Sequence, residues 1–197
     1  MLDAVHDNGT LTQRSLSKEL GIALGLTNAY LKRCVRMGLI KVRAAPPNRY
    51  VYYLTPKGFA EKSRLTARYL SRSFHFYGQA RTDLGACFAT CAARGWRRLA
   101  LYGAGELAEI ALLCAMQYPV GIVGVVDARA GEGRFMKLPR TASLAALGPV
   151  DAALITDLRR PQATYEAARE ELAAERLLTP ALLKISRRMS LNHHGEE

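Results

Sequence analysis

The sequence predicts two domains of different class: a small α+β unit at the amino end, then a long helix leading into an α/β unit built on a parallel sheet. Three observations predict it. Cationic charge is concentrated in the first third of the chain. Two short helical patterns and two β-rich segments follow one another before residue 58. Beyond residue 95, apolar strands alternate with helical segments around a glycine-rich turn.

A chain of 197 residues, 49% hydrophobic, holds one domain or two small ones with packed cores. No apolar run reaches the ~18 residues of a membrane span. The start, Met1 to Asp7, lacks the basic and apolar regions of a signal peptide. These features predict a cytoplasmic protein with no membrane partner. The net charge is +11. Residues 1–75 carry 13 Lys/Arg against 4 Asp/Glu, whereas residues 76–197 carry 15 against 13. A basic domain joined to a near-neutral one implies a polyanion partner for the first alone. Cys34, Cys87, Cys91 and Cys114 form no CxxC pair. They read as small buried thiols rather than metal ligands.

The first helix of a pair is capped by Thr12, runs to about Leu20 and stops at Gly21. A turn, Ile22 to Gly25, leads to a second helix capped by Thr27 or Asn28, running through Met37 to a stop at Gly38. Leu31 and Val35 share a face and are expected in the core, leaving Asn28, Lys32, Arg33 and Arg36 for solvent or a ligand. Leu39 to Arg43 and Tyr50 to Leu54 are strands, joined by a tip from Ala44 to Arg49 that contains Asn48. Two helices joined by a glycine-containing turn and followed by such a hairpin form a winged helix-turn-helix.

This order of parts presents a basic helix to a DNA groove. The helix start offers free N–H groups and a positive dipole to phosphate. Thr27, Asn28, Tyr30, Lys32, Arg33 and Arg36 are candidate contacts on that helix. Gln13, Arg14 and Ser15, at the start of the preceding helix, would fix register on phosphates, and Arg43, Asn48 and Arg49 would act from the hairpin. Amide and guanidinium groups such as Asn28 and Arg33 can reach base edges.

Within Leu11 to Lys62, about a quarter of the chain, LSKELGI (16–22), GLIKV (38–42) and YLTPKG (53–58) stand in a characteristic order. The stretch resembles MarR-type winged helix regulators, and among them those linked to exopolysaccharide genes. The resemblance implies sequence-specific binding of double-stranded DNA, usually as a homodimer. The helix before the pair is short, Met1 to Asp7.

From Phe59 to about Arg94 there is no proline, and Phe59, Leu65, Tyr69, Phe76, Ala80, Leu84, Phe88 and Cys91 recur mostly at three- and four-residue steps. This predicts one long amphipathic helix or a broken pair, with Gly78 and Gly85 as weak points. Its stripe is expected to pack on a second subunit, which would set two recognition helices ~34 Å apart. Packing on the carboxy-terminal domain is the alternative. The domains expected are residues 1–58, 59–94 (linking helix) and 95–186, with a polar tail at 187–197.

In the last domain, the apolar run 97–102 precedes Gly103-Ala104-Gly105-Glu106-Leu107-Ala108, a helix from Glu109 to Gln117, and a strand from Val120 to Val126 ending in Asp127. Strand, G-x-G-x-x-A, helix, strand and acid make a Rossmann-like dinucleotide fingerprint. Gly103 would allow the tight turn, Gly105 the close approach of a pyrophosphate, and Asp127 would accept ribose hydroxyls. Leu107, inside the same motif, is a further candidate contact, and Glu106 places a carboxylate near the phosphate position, which Arg129 or Arg134 would offset. A short strand at Phe135 to Leu138, a helix at Ser143 to Leu147, a strand at Val150 to Thr156, a helix at Gln162 to Ala174 and a strand near Arg176 to Leu178 complete the alternation.

YGAGELAEI (102–110) and the strand end at Asp127 resemble the nucleotide-binding halves of sugar-nucleotide enzymes. The pairing with a winged helix is similar to the Rex redox repressors, which sense NADH. These resemblances imply NAD(H) or a nucleotide-sugar as a small ligand. No acid–base pair, nucleophile elbow or metal set stands near the glycine turn, and no Tyr-x-x-x-Lys, so the chain reads as a regulator and not as an enzyme. The alternatives are an NADH-sensing repressor, a small NAD(P)-dependent enzyme with a basic accessory domain, and a protein-binding scaffold.

Overall fold

The computed structural model describes residues 1–7, 12–45, 49–129 and 131–187, and the chain divides into two units, Met1–Phe74 and His75–Glu197. The expected tip residue Asn48 and the tail with His193 and His194 lie outside the described residues, as does the side chain of Arg49.

In the first unit, α1 (Leu2–Asp7), α2 (Gln13–Leu20) and α3 (Leu24–Arg36) precede a hairpin of β1 (Ile40–Ala45) and β2 (Arg49–Leu54). Thr12 caps α2 through a reciprocal box: its Oγ1 accepts the Ser15 N–H at 3.1 Å, and Ser15 Oγ accepts the Thr12 N–H at 2.9 Å. Gly21 ends the helix at φ 63°, a left-handed conformation that glycine adopts without cost.

The start of α3 differs from the expectation. Ala23, not Thr27 or Asn28, is its N-cap, and no side chain caps it. Thr27 lies one turn inside the helix, fully buried, with its hydroxyl donating to the Ala23 carbonyl at 3.2 Å. Bonded back to i−4 in this way, the Thr27 hydroxyl sits inside the helix instead of capping it, and Leu24 to Leu26 form the first turn. Val35 is also corrected: it is 38% exposed, while Leu31 alone of the expected pair is buried.

The hairpin register pairs Ile40 with Leu54, Val42 with Tyr52 and Ala44 with Tyr50. These residues share one face by the period of two. Its inner end, Ile40 and Tyr52, joins Ala4, Val5, Leu16 and Leu31 in the core; its outer end, Val42 and Tyr50, extends past it into the open. After β2, Thr55-Pro56-Lys57-Gly58 starts α4 (Pro56–Ala93). Thr55 Oγ1 donates to the Gly38 carbonyl at 2.6 Å and accepts the Gly58 N–H at 3.0 Å, and Lys57 Nζ donates to the Met37 carbonyl at 3.0 Å. The motif thus ties the hairpin exit to the end of α3.

α4 is a single helix of 38 residues through both Gly78 and Gly85. The expected linking segment 59–94 is shared between the two units, whose boundary falls after Phe74. Its stripe has two fates. Ala80, Leu84, Phe88 and Cys91 are buried in the second unit, with Phe88 against Tyr118. Phe59, Leu65, Tyr69, Leu70, Phe74 and Tyr77 are exposed.

The second unit is a six-stranded sheet ordered β5-β6-β4-β3-β7-β8. Its elements are β3 (Arg98–Tyr102), α5 (Glu106–Ala115), β4 (Gly121–Val126), β5 (Gly133–Phe135), β6 (Leu138–Thr141), β7 (Ala152–Ile155), α6 (Pro161–Glu171) and β8 (Leu177–Leu178). All neighbours are parallel except β5 with β6. The expected strand at Phe135 to Leu138 is instead the turn of this antiparallel pair, with Met136 at φ 55°. The expected helix at Ser143 to Leu147 is a single 3₁₀ turn, Ala145–Leu147. α5 begins three residues earlier than expected because Gly105 serves as its N-cap. The order of strands reverses between β3 and β7, and in such sheets a crevice opens at the carboxyl ends of the strands there.

Candidate nucleic-acid interface and sheet-edge cleft

In the first unit a groove of about 630 Å³ lies between α3, the amino end of α2 and the hairpin. Residues 28, 31, 32, 35 and 36 recur at helical spacing and form its α3 wall. Val42, Tyr50 and Tyr52 form the hairpin wall, and Gln13 closes one end, its Nε2 donating to the Tyr52 hydroxyl at 3.0 Å. Among the described residues no carboxylate lines the groove. Lys32 and Arg36 are exposed and have no ion-pair partner among the described residues. Asn28 Oδ1 is buried and meets no hydrogen-bond donor among them.

Of the candidate DNA contacts, the groove brings together Gln13, Asn28, Lys32 and Arg36. Arg14, Tyr30, Arg33 and Arg43 are exposed but line no part of it. Ser15 is committed to the α2 cap, and burial takes Thr27 off the surface altogether. The apolar wall formed by Val35, Val42 and Tyr50 was not anticipated. The alternation of Ile40 with Val42 and of Tyr50 with Tyr52 was the available signal.

At the sheet edge, Gly103 adopts φ 103° and packs on the start of the β7–α6 turn: a Cβ there would meet Asp157 atoms at 2.7–2.8 Å. Thr156 Oγ1 donates to the Gly103 carbonyl at 2.7 Å, pinning β3 to β7 at the reversal. Ala104 N–H donates to Asp127 Oδ2 at 3.1 Å, and Arg129 N–H to Asp127 Oδ1 at 3.1 Å. Arg129 then crosses the crevice. Its Nε lies 3.7 Å from Asp127 Oδ1 and its Nη2 donates to Asp157 Oδ2 at 2.5 Å.

Asp157 also accepts the N–H groups of Arg159 and Arg160 at 2.8 and 3.2 Å and the Thr164 hydroxyl at 2.7 Å, which fastens the entry to α6. Burial pushes the Asp157 carboxyl up. The bonds from Thr164, Arg159 and Arg160, with the Arg129 charge, outweigh this and hold it below its ordinary value.

Two cavities of about 480 and 420 Å³ flank Arg129, and Asp127 and Asp157 line both. The first gathers Ala104, Gly105, Glu106, Asp127 and Arg129 from the expected ligand set, and the second Gly103. Leu107 is fully buried and lines neither, a correction that follows from its place on the core face of α5. Arg134 lines neither and donates to the Lys137 carbonyl. Arg140, Arg159 and Arg160 were missed, since they come from segments distant from the glycine motif. Among the described residues no group of acidic, His or Cys side chains is arranged to hold a metal, and no helix is long and apolar enough to cross a membrane.

Residues 1–41 match the model of a family described as winged helix-turn-helix DNA-binding. The match spans α1 to the start of β1 and supports a DNA-binding regulator; it does not reach the sheet unit. No curated protein matches the chain.

Proposed function

We propose that the chain is a sequence-specific transcription regulator of the MarR-like type that binds double-stranded DNA as a homodimer. One observation carries the reading. Lys32, Arg36, Asn28 and Gln13 converge on one carboxylate-free groove beside a helix whose family match is a DNA-binding one. Cations there neutralise phosphates, and the amides supply the paired donor and acceptor that distinguish base edges.

The dimer is supported by α4. The stripe that its second half buries continues into the first unit uncovered, with Tyr69 71% and Phe74 73% exposed. A second copy of the same helix supplies an apolar surface of matching length.

The sheet unit is a Rossmann-like sensor for a nucleotide or nucleotide-sugar in this proposal, and the resemblance of the first unit points to polysaccharide genes as targets. Gly103, the uncapped start of α5 and Asp127 fit a nucleotide. Glu106 on the cavity wall disfavours a diphosphate and leaves the sugar end as the better match. A second reading, a ligand-free scaffold, is favoured by Arg129: its bridge between Asp127 and Asp157 already satisfies both carboxylates.

Selection of duplexes from a random pool, repeated with NADH and with a uridine diphosphate sugar, tests the proposal. Enrichment of one palindromic motif is expected, with affinity changed by one of the two ligands. Binding that is indifferent to sequence and to ionic strength would sink the DNA reading; unchanged affinity with either ligand would leave the scaffold.

A further inference from the structure

The cavity of about 480 Å³ at the sheet edge falls within the ~300–1,000 Å³ of small-molecule sites, and its charges are sorted. Glu106 and Glu109 stand three residues apart in the first turn of α5, so they share a face, and both line the cavity. Both are exposed, and neither has an ion-pair partner among the described residues. They already answer the positive end of the helix dipole, and they repel a phosphate that the uncapped start of α5 would otherwise attract. Carboxylates only accept hydrogen bonds, and the donors that suit them are sugar hydroxyls.

The cations lie to either side. In the β5–β6 pair, Gly133 stands opposite Arg140 and Phe135 opposite Leu138, so Phe135 and Arg140 share a face, and both line the cavity. The Arg140 guanidinium passes over Gly133, where a β-carbon would meet its Nη2 at 3.1 Å, and its Nε donates to the Gly131 carbonyl at 3.1 Å. A cation is thus held in place near an aromatic ring. Arg159 enters from the turn after β7, exposed and without an ion-pair partner among the described residues. In the order β6-β4-β3-β7, α5 begins at the end of β3, so its carboxylates stand between Arg140 and Arg159. Arg129 also lines the cavity, but Asp127 and Asp157 already hold it.

We infer that this cavity takes a nucleoside-diphosphate sugar in the sense opposite to that of a dinucleotide on a glycine turn. The diphosphate lies on Arg140 and the base against Phe135. The sugar hydroxyls donate to Glu106 and Glu109, and Arg159 selects a sugar that carries an acid group. This rests on the nucleotide-sugar reading of the sheet unit and adds to it an orientation and a class, the sugar acids. The base contributes stacking, which every base supplies, so uridine compounds serve as probes.

Calorimetry on the full chain compares uridine diphosphate (UDP), UDP-glucose and UDP-glucuronate. The glucuronate binds about tenfold more tightly than the glucose form, the scale of one charge-assisted contact. UDP-glucose in turn binds more tightly than UDP. Arg159→Gln brings the glucuronate down to the level of UDP-glucose, and Arg140→Gln weakens all three several-fold. The deciding variant is Glu106→Gln/Glu109→Gln, because the two orientations predict different outcomes. With the sugar on α5, it narrows the gap between UDP-glucose and UDP. With phosphates on α5, it lifts a repulsion and tightens both alike. Circular dichroism checks that each variant stays folded.

Tightening of both ligands alike overturns the inference and leaves the nucleotide reading standing. So does equal binding of the glucuronate and glucose forms, or no advantage of UDP-glucose over UDP. Failure of all three to bind at millimolar concentration removes the nucleotide-sugar reading and the inference together.

Discussion

Gly58 packs so closely on Leu39 that a β-carbon at position 58 would overlap the Leu39 carbonyl oxygen. That oxygen also accepts the Thr55 N–H at 3.1 Å, so the clash falls on backbone already committed to holding the hairpin exit. The order Thr-Pro-Lys-Gly therefore has a structural role at each end: a hydroxyl cap at Thr55 and a missing side chain at Gly58. Gly58→Ala is expected to lower stability by about 2 kcal/mol, the scale of overpacking. Gly78→Ala, in the same helix but with open space around the site, is expected to raise stability by ~0.5–1 kcal/mol. Urea unfolding of the two variants checks the contrast; equal effects would refute the close approach.

Much of the first unit was legible because its signals are local. Thr12, Gly21 and the β-rich run at Tyr50 each act within a few residues, and the structure places them as expected. Thr27 misled because a threonine capping a helix and a threonine bonded back to the preceding turn look alike in sequence. The core partner of α3 at position 35 was misjudged for another reason: burial on a helix face depends on how far the hairpin extends over it, which no periodicity records. In the second unit, Gly103, Asp127 and the alternation of strands were readable. The bridge from Arg129 to Asp157 was not, since 28 residues separate them and only the reversal between β3 and β7 brings their ends together.

Asp157 predicts an acid-dependent stability. Its carboxyl is held below the ordinary value by the hydrogen bonds and charge around it. The contribution is therefore complete above the ~3.9 of a free aspartate and is lost as pH falls through the lower folded-state value. Asp157→Asn should cost ~1–3 kcal/mol at neutral pH, and the gap from the parent should narrow below about pH 4. Denaturant unfolding at pH 7, 5, 4 and 3 measures this, and a gap of constant size would contradict it.

The groove residues separate by role. Arg36→Ala should weaken all duplexes alike and lower the slope of log affinity against log salt by about 1, whereas Asn28→Ala should also relax the preferred sequence. Salt titrations and repeated duplex selection distinguish the two. Full affinity and full selectivity in both variants would show that α3 does not read DNA.

If α4 forms the proposed dimer, Tyr69→Glu with Phe74→Glu should yield a monomer, since two carboxylates would enter the exposed stripe of α4. Sedimentation velocity reports the change and circular dichroism should stay the same. Persistence of a dimer would move the interface elsewhere.

Cys87 and Cys91 of the second unit should be inert. Burial pushes Cys87 up to about 12 and Cys91 up to about 11, so neither supplies thiolate at neutral pH. A disulfide reagent at pH 8 should leave both unmodified over minutes and label them fully in urea. Rapid labelling of the native chain at Cys87 or Cys91, located by peptide mapping, would show that the helix opens there.

Where a second crossover helix would join β4 to β6, the chain spends only β5, three residues running antiparallel to β6. That short strand occupies the hydrogen-bonding margin which β6 would otherwise offer to any extended peptide. It is itself only three residues long and runs directly into the turn at Met136, too brief to recruit another strand. The margin of the sheet at β6 is thereby closed by a strand with too few free backbone groups to template a further chain.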